Sequence, residues 1–172
     1  MGPVGAAVEI DVPRSVAFAE LCDLSRRPSF TDHFISDLRL TRIDPVGAGA
    51  GARFRFETFP RHLWMDTTIT EIEEPQRIVE HGSGGRANRI PSTTVWELLE
   101  GPGSLITARV SFWTAPSSHL DRAIDSLGMA SFWLGRGWRE AMSRLRDNLE
   151  AGTGAAEPVS VAGGNPYATG VP

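Results

Sequence analysis

Residues 118–150 read SHLDRAIDSLGMASFWLGRGWREAMSRLRDNLE, and this stretch decides the fold. Apolar residues recur in it at intervals of three or four, which is the period of an amphipathic α-helix. Glycine is costly inside a helix, so we predict a bend or break near Gly128, or a thinner helix around Gly135. The apolar stripe consists of Leu120, Ile124, Leu127, Leu134, Trp138, Ala141, Leu145 and Leu149.

The chain before this helix is dominated by strand patterns. Residues 36–114 form short segments of alternating apolar and polar residues, separated by glycine and proline turns, as antiparallel strands do. Phe54 and Phe56 share one face of such a strand, whereas the inward faces of segments 64–81 and 93–99 stay open. A strand at 7–12 and two short helices at 16–24 and 30–34 precede them. We therefore predict an α+β fold with seven antiparallel strands and one long C-terminal helix.

The length and composition of the chain limit the number of domains that it can form. With 172 residues and 41% hydrophobic residues, the chain can form one domain with a sizeable core. We predict a flexible start at 1–6, one domain at 7–151, and a disordered tail at 152–172, where glycine, alanine and proline dominate.

Charge and hydropathy exclude several classes of partner. The formal net charge is −4, so the chain lacks the excess of positive charge that attracts a nucleic-acid backbone, and we predict no nucleic-acid partner. The first ten residues do not resemble a signal peptide, and no apolar run approaches the length of a membrane span. We expect a cytoplasmic protein without integral membrane insertion, either a monomer or a homodimer.

The order of these elements resembles the START-like superfamily, also called SRPBCC proteins, and its polyketide cyclase/dehydrase and lipid-transport branch in particular. The resemblance spans about residues 8–150 and rests on a succession of local patterns. It implies a helix-grip fold, in which the sheet wraps around the C-terminal helix and an internal cavity takes an apolar or aromatic ligand. The patterns are VEIDVP at 8–13, DL at 23–24, FTDHF at 30–34, GARF at 51–54, ITEIEEPQRI at 69–78 and TVWEL at 94–98.

Residues for metal, cofactor or nucleophilic chemistry are sparse. The four histidines are scattered with no pair at metal-ligand spacing, and the single cysteine, Cys22, lies in an apolar periodic segment. We therefore predict no metal, no cofactor and no assigned catalytic residue. His33 and His81 are the best-placed groups for an acid or base, which keeps a polyketide cyclase or aromatase-like enzyme as an alternative.

The large rings and aliphatic residues of the inward faces indicate a binding site. Apolar clefts with a few polar groups are typical of small-ligand sites. We predict binding or transport of a hydrophobic small molecule, such as a lipid, a polyketide or an aromatic metabolite. A protein-interaction module with a filled interior is a further alternative. The predicted ligand-binding residues are Phe30, His33, Phe34, Phe54, Phe56, Ile69, His81, Trp96, Leu98, Val110, Phe112, Leu134 and Trp138.

Overall fold

The computed structural model describes residues 2–57, 62–85, 88–115, 129–152 and 159–161. The chain starts with a strand, two short helices and a 3-10 turn, continues through six strands, and then forms a long helix and a two-residue strand. These elements are β1 (Val4–Asp11), α1 (Arg14–Cys22), the 3-10 turn (Leu24–Arg26), α2 (Pro28–Thr31), β2 (Ile35–Leu40), β3 (Gly51–Phe56), β4 (Leu63–Glu73), β5 (Arg77–Gly84), β6 (Ile90–Glu100), β7 (Leu105–Thr114), α3 (Met129–Ala151) and β8 (Ser160–Val161).

All the strands belong to one sheet in the order β1-β7-β6-β5-β4-β3-β2-β8. Neighbouring strands pair antiparallel from β1 through to β2, whereas β2 and β8 pair parallel. The predicted α+β architecture with its sheet and long C-terminal helix is confirmed. The sheet has one strand more than predicted, because Ser160 and Val161 extend its edge beside Arg39 and Leu40. Residues 153–158 and 162–172 of the predicted tail lie outside the described residues.

The helix α3 continues without interruption through both of its glycines. Gly135 and Gly137 are α-helical, so neither one breaks the helix. The predicted bend near Gly128 and the predicted helical turns at 118–128 lie outside the described residues. The Phe34 ring occupies the space beside Gly137, since a Cβ at position 137 would lie 2.5 Å from that ring. The helix therefore gains close packing at this glycine rather than free space.

The core lies between the inner face of the sheet and the helices. On β6 the inward residues are Trp96 and Leu98, because both are buried while Leu99 is 44% exposed. This assignment settles the face that the sequence left open for that strand. The alternation predicted for β7 is confirmed, since four of its residues are buried in the same core: Ile106, Ala108, Val110 and Phe112.

Candidate functional site

Aromatic rings from the sheet, α2 and α3 meet in the interior. Trp138 of α3 lies at the centre of this cluster, with ring centroids 5.1 Å from Phe34 and 5.5 Å from Trp96. Phe56 lies 5.8 Å from Phe34 and 5.4 Å from Phe112. Most of these pairs meet edge to face or tilted, the geometry that aromatic quadrupoles favour. The sheet and α3 are thus joined by a continuous layer of rings.

A buried carboxylate interrupts this apolar interior. Glu80 of β5 is 2% exposed and accepts three hydrogen bonds. Its Oε1 accepts from Arg27 Nη2 at 2.7 Å and from Trp96 Nε1 at 2.7 Å. Its Oε2 accepts from Thr67 Oγ1 at 3.1 Å. A buried charge needs a partner and hydrogen bonds to be tolerated, and Glu80 has both.

Local chain geometry brings Arg27 to that carboxylate. Asp23 caps the 3-10 turn by accepting from Ser25 N at 2.9 Å, and Pro28 then starts α2 at a position that proline favours. Arg27 lies between these two short elements, and the Thr31 hydroxyl donates to its carbonyl at 2.8 Å. Its guanidinium lies over the Trp96 ring, 4.7 Å from the centroid, in a cation–π contact. The arginine is therefore held in place from several sides.

Two buried donors beside this cluster have no acceptor within the described residues. They are Nε of Arg27 and Nε1 of Trp138. Both side chains line a small interior cavity between the sheet and α3. Its volume of about 10 Å³ suits a single water molecule. The other lining residues are Leu24, Ile35, Leu38, Ala52, Phe54, Phe56, Thr67, Glu80 and Thr94.

Several solved structures share this architecture. One is KanY protein, studied in solution, which has a TM-score of 0.69 and 16% sequence identity. The match covers 87% of this chain and 99% of KanY. Norcoclaurine synthase from Thalictrum flavum has a TM-score of 0.61 at 10% identity, with 86% and 91% covered. DynU16, from the dynemicin biosynthetic locus, has a TM-score of 0.57 at 18% identity, and the match covers 91% of this chain but 50% of DynU16. This chain has the helix-grip fold. No protein-family model and no curated protein sequence matches it.

Most of the predicted ligand-binding residues lie in the interior of this helix-grip fold. Eleven of the thirteen are buried or partly buried members of the core. Phe54, Phe56 and Trp138 also line the cavity itself. The other eight pack around it: Phe30, Phe34, Ile69, Trp96, Leu98, Val110, Phe112 and Leu134.

The two predicted histidines are placed differently from those eleven. His33 lies at the edge of the aromatic layer, with its Nε2 3.0 Å from the carbonyl oxygen of Gly137. His81 is exposed on the outer face of the sheet, where its Nδ1 lies 2.9 Å from Thr70 Oγ1. Neither histidine lines the cavity. The structure therefore does not bring His81 to the site.

The polar residues of the cavity were not predicted from the sequence; they are Arg27, Thr67, Glu80 and Thr94. For Glu80 a signal existed, since alternation along β5 places it on the same face as the apolar Ile78, two residues earlier. For Arg27 there was none, because an arginine before a proline in a turn looks like a solvated charge.

The residues that the structure describes hold neither a metal-type cluster nor a membrane-spanning helix. No group of three or more His, Cys, Asp or Glu side chains is arranged to hold a metal ion in that part of the chain. Nor is any of its helices both long and apolar enough to span a membrane.

Proposed function

We propose that this protein binds a small, mostly apolar molecule that carries a hydrogen-bond acceptor, between the sheet and α3. The observation that carries the proposal is the pair of buried donors, Arg27 Nε and Trp138 Nε1, which have no acceptor in the described residues and belong to two side chains that line the cavity. A buried donor left unsatisfied costs roughly 1–3 kcal/mol. A ligand oxygen reaching either donor would recover that cost, while the surrounding rings would bury its apolar part.

The small cavity sets a condition on this function. A volume of about 10 Å³ holds one water molecule, not an organic ligand. Binding therefore requires α3, which carries Trp138, to move away from the sheet, which carries Phe54 and Phe56. The proposal thus includes an expanded state, which a bound ligand would stabilise through its greater affinity for that state.

The test uses benzoate and toluene, which share a ring and differ in the acceptor group. We expect benzoate to bind at least about tenfold more tightly, since a hydrogen bond to a charged group contributes about 1.5–3 kcal/mol. Titrations followed by NMR would report both the affinity and the residues affected. Native mass spectrometry of protein from its own host would look for a co-purifying apolar compound.

Two tryptophan variants separate the donor from the ring. Trp138→Phe removes Nε1 and keeps an aromatic side chain, so benzoate affinity should fall about tenfold. Trp64→Phe is the matched control, because Trp64 lies 37% exposed outside the cavity. If neither compound binds and nothing co-purifies, the proposed function fails. If benzoate and toluene bind equally, only the role of the acceptor fails.

A second candidate function is a protein-interaction module, favoured by the nearly filled interior together with two exposed rings on α3. Phe132 is 62% exposed and Trp133 is 44% exposed, and their ring centroids lie 6.0 Å apart. Exposed apolar patches commonly mark interaction surfaces. This candidate predicts that no small molecule co-purifies and that a Phe132→Ser/Trp133→Ser variant loses any self-association seen by sedimentation.

An enzymatic role in the same cavity would fall to Glu80 rather than to a histidine. Glu80 lines the cavity, whereas His33 and His81 do not. Its carboxylate is already engaged by Arg27, Trp96 and Thr67, which suits anchoring better than proton transfer. If a substrate is found, loss of turnover with retained binding in Glu80→Gln would indicate an acid–base role.

A further inference from the structure

A second and much larger depression lies on the outside of the fold, beside α1. This α1 groove is lined by α1, the residues that follow it, the β2–β3 connection and the β4–β5 turn. Its volume is about 690 Å³, within the range of small-molecule pockets. It shares no lining residue with the interior cavity. A ligand here needs no expansion of the core.

The walls of the α1 groove are fixed by backbone contacts. Gly47 N donates to the carbonyl of Cys22 at 3.1 Å, and Leu24 N donates to the carbonyl of Pro45 at 3.0 Å. Asp23 and Val46 also form an isolated β-bridge. These bonds tie the β2–β3 connection to the end of α1, so the two sides of the groove keep their spacing. A fixed spacing lowers the entropy cost of binding.

The floor and rim of the α1 groove are mainly apolar. Phe18 is 6% exposed and closes the floor, while Val16 and Val46 are 47% and 49% exposed at the rim. Ile72, half-buried on β4, adds a further aliphatic surface. The exposed parts of these two valines leave apolar area for a ligand to bury, at about 25 cal/mol per Å².

Acidic groups outnumber basic ones around this surface. Arg26 is already paired, with its Nη1 2.8 Å from Glu20 Oε2 and its Nε 3.5 Å from Asp23 Oδ2. Glu20 is 7% exposed, and its Oε1 has no donor within the described residues. Glu74 lines the same groove and makes no ion pair in that part of the chain. Two carboxylates thus retain unused acceptor capacity.

The thiol of Cys22, which also lines the groove, has a pKa that responds to the negative charge nearby. Its pKa is raised to about 11, first by burial and next by the charge of Glu74. The negative charge of Glu74 therefore also lowers the electrostatic potential at the apolar residues that line the groove. A positive charge placed there would be attracted.

We propose that the α1 groove binds a small organic ammonium ion, with its apolar body against Val16 and Val46 and its charged head at Glu20. An ammonium has three donors and no acceptor, which matches a site whose free groups are carboxylate oxygens. An anion would meet Glu20 and Glu74 with only one arginine, itself already paired. This site is independent of ligand binding in the interior.

The test compares phenylbutylamine with phenylbutanol, which is matched in shape and neutral. Titration of the full chain, followed by NMR, should show the amine binding at least about tenfold more tightly. The shifted amides should belong to α1 and the β2–β3 connection. Equal affinities, shifts confined to other elements, or no binding of the amine would each overturn the proposal.

Variants that remove a single carboxylate show which one binds the ammonium group. Glu20→Gln should weaken amine binding about tenfold and leave the binding of the alcohol unchanged. Glu9→Gln is the matched control, since Glu9 is exposed on β1 and outside the groove. If Glu20→Gln does not fold, Glu74→Gln at the exposed rim replaces it, with a smaller loss expected. Unchanged amine affinity in a folded Glu20→Gln variant would contradict the assignment.

Discussion

At the scale of single residues, Gly137 determines how closely α3 approaches Phe34, in the turn between α2 and β2. A Cβ at this position would lie 2.5 Å and 2.7 Å from two atoms of the Phe34 ring. That ring is itself held between Phe56 and Trp138, so it has little room to withdraw. Glycine is therefore kept at a helical position where alanine would have the higher propensity.

Gly137→Ala should lower the free energy of unfolding by roughly 1 kcal/mol, and by at most about 2 kcal/mol. The gain in helix propensity is about 1 kcal/mol, and overpacking a filled core costs roughly 1–3 kcal/mol. Urea unfolding measures the difference. Gly135→Ala is the control, because its Cβ would meet only Val4 Cγ1 at 3.4 Å, an ordinary contact. It should be neutral or stabilising, and a similar loss in both variants would contradict the steric explanation.

At the scale of elements, ionised side chains tie the end of β3 to β2. Glu57, just after β3, accepts from the Ser36 hydroxyl and from Arg55 Nε at 2.8 Å. His62 Nδ1 lies 2.6 Å from its other oxygen. The Ser36 hydrogen bond and, next among the favourable causes, Arg55 hold the pKa of Glu57 below its ordinary value, against a smaller opposing effect of burial. The carboxylate therefore favours the folded state only when it is ionised.

Glu57→Gln should destabilise the protein near neutral pH and much less in acid. Since the folded pKa is lowered, its stabilising effect is present above the ordinary glutamate pKa and is lost as pH falls through the folded value. The effect should be about 1 kcal/mol or less, because the side chain is partly solvated. Urea unfolding of both proteins at neutral pH and near pH 3 checks this. A difference that persists unchanged in acid would exclude the ionised carboxylate as its cause.

At the scale of the whole molecule, the Arg27–Glu80 pair joins the segment of short helices to the middle of the sheet. The two residues are 53 positions apart, and their side chains are 6% and 2% exposed. Removing one partner leaves a buried charge unpaired, whereas removing both charges leaves none. The pair therefore couples two parts of the fold and forms the polar end of the cavity.

Arg27→Met and Glu80→Gln should each lower the free energy of unfolding by roughly 3–5 kcal/mol. The double variant should lose clearly less than the sum of the two single losses, because neither charge then remains buried alone. A double-mutant cycle by urea unfolding measures the coupling. Arg144 and Asp32 provide an exposed control pair, with side chains 38% and 66% exposed, whose coupling should be below about 1 kcal/mol. Additive losses at Arg27 and Glu80 would show that the pair does not act as a unit.

The α+β class, the order of the elements and most of the aromatic interior could be predicted from the amino-acid sequence alone. Those features follow from hydrophobic periodicity, which is local and can be counted along the chain. The alternation of β7 and the stripe on α3 are examples, since the described residues predicted to face inward are buried, or partly buried in the case of Leu149. The resemblance to the START-like superfamily rested on the same local patterns.

Folding of the chain, and no local pattern, brings the polar residues together at one end of the cavity. β4 carries one extra residue, Thr70, opposite β5 between Ile69 and Glu71, so the alternation along β4 breaks there. On β5, alternation puts Ile78 and Glu80 on one face and His81 on the other, but it does not show which face is inward. Arg27 reaches Glu80 through folding of the whole chain, and the Phe34 ring closes over Gly137 in the same way. Such contacts depend on long-range pairing and packing, which no local pattern encodes.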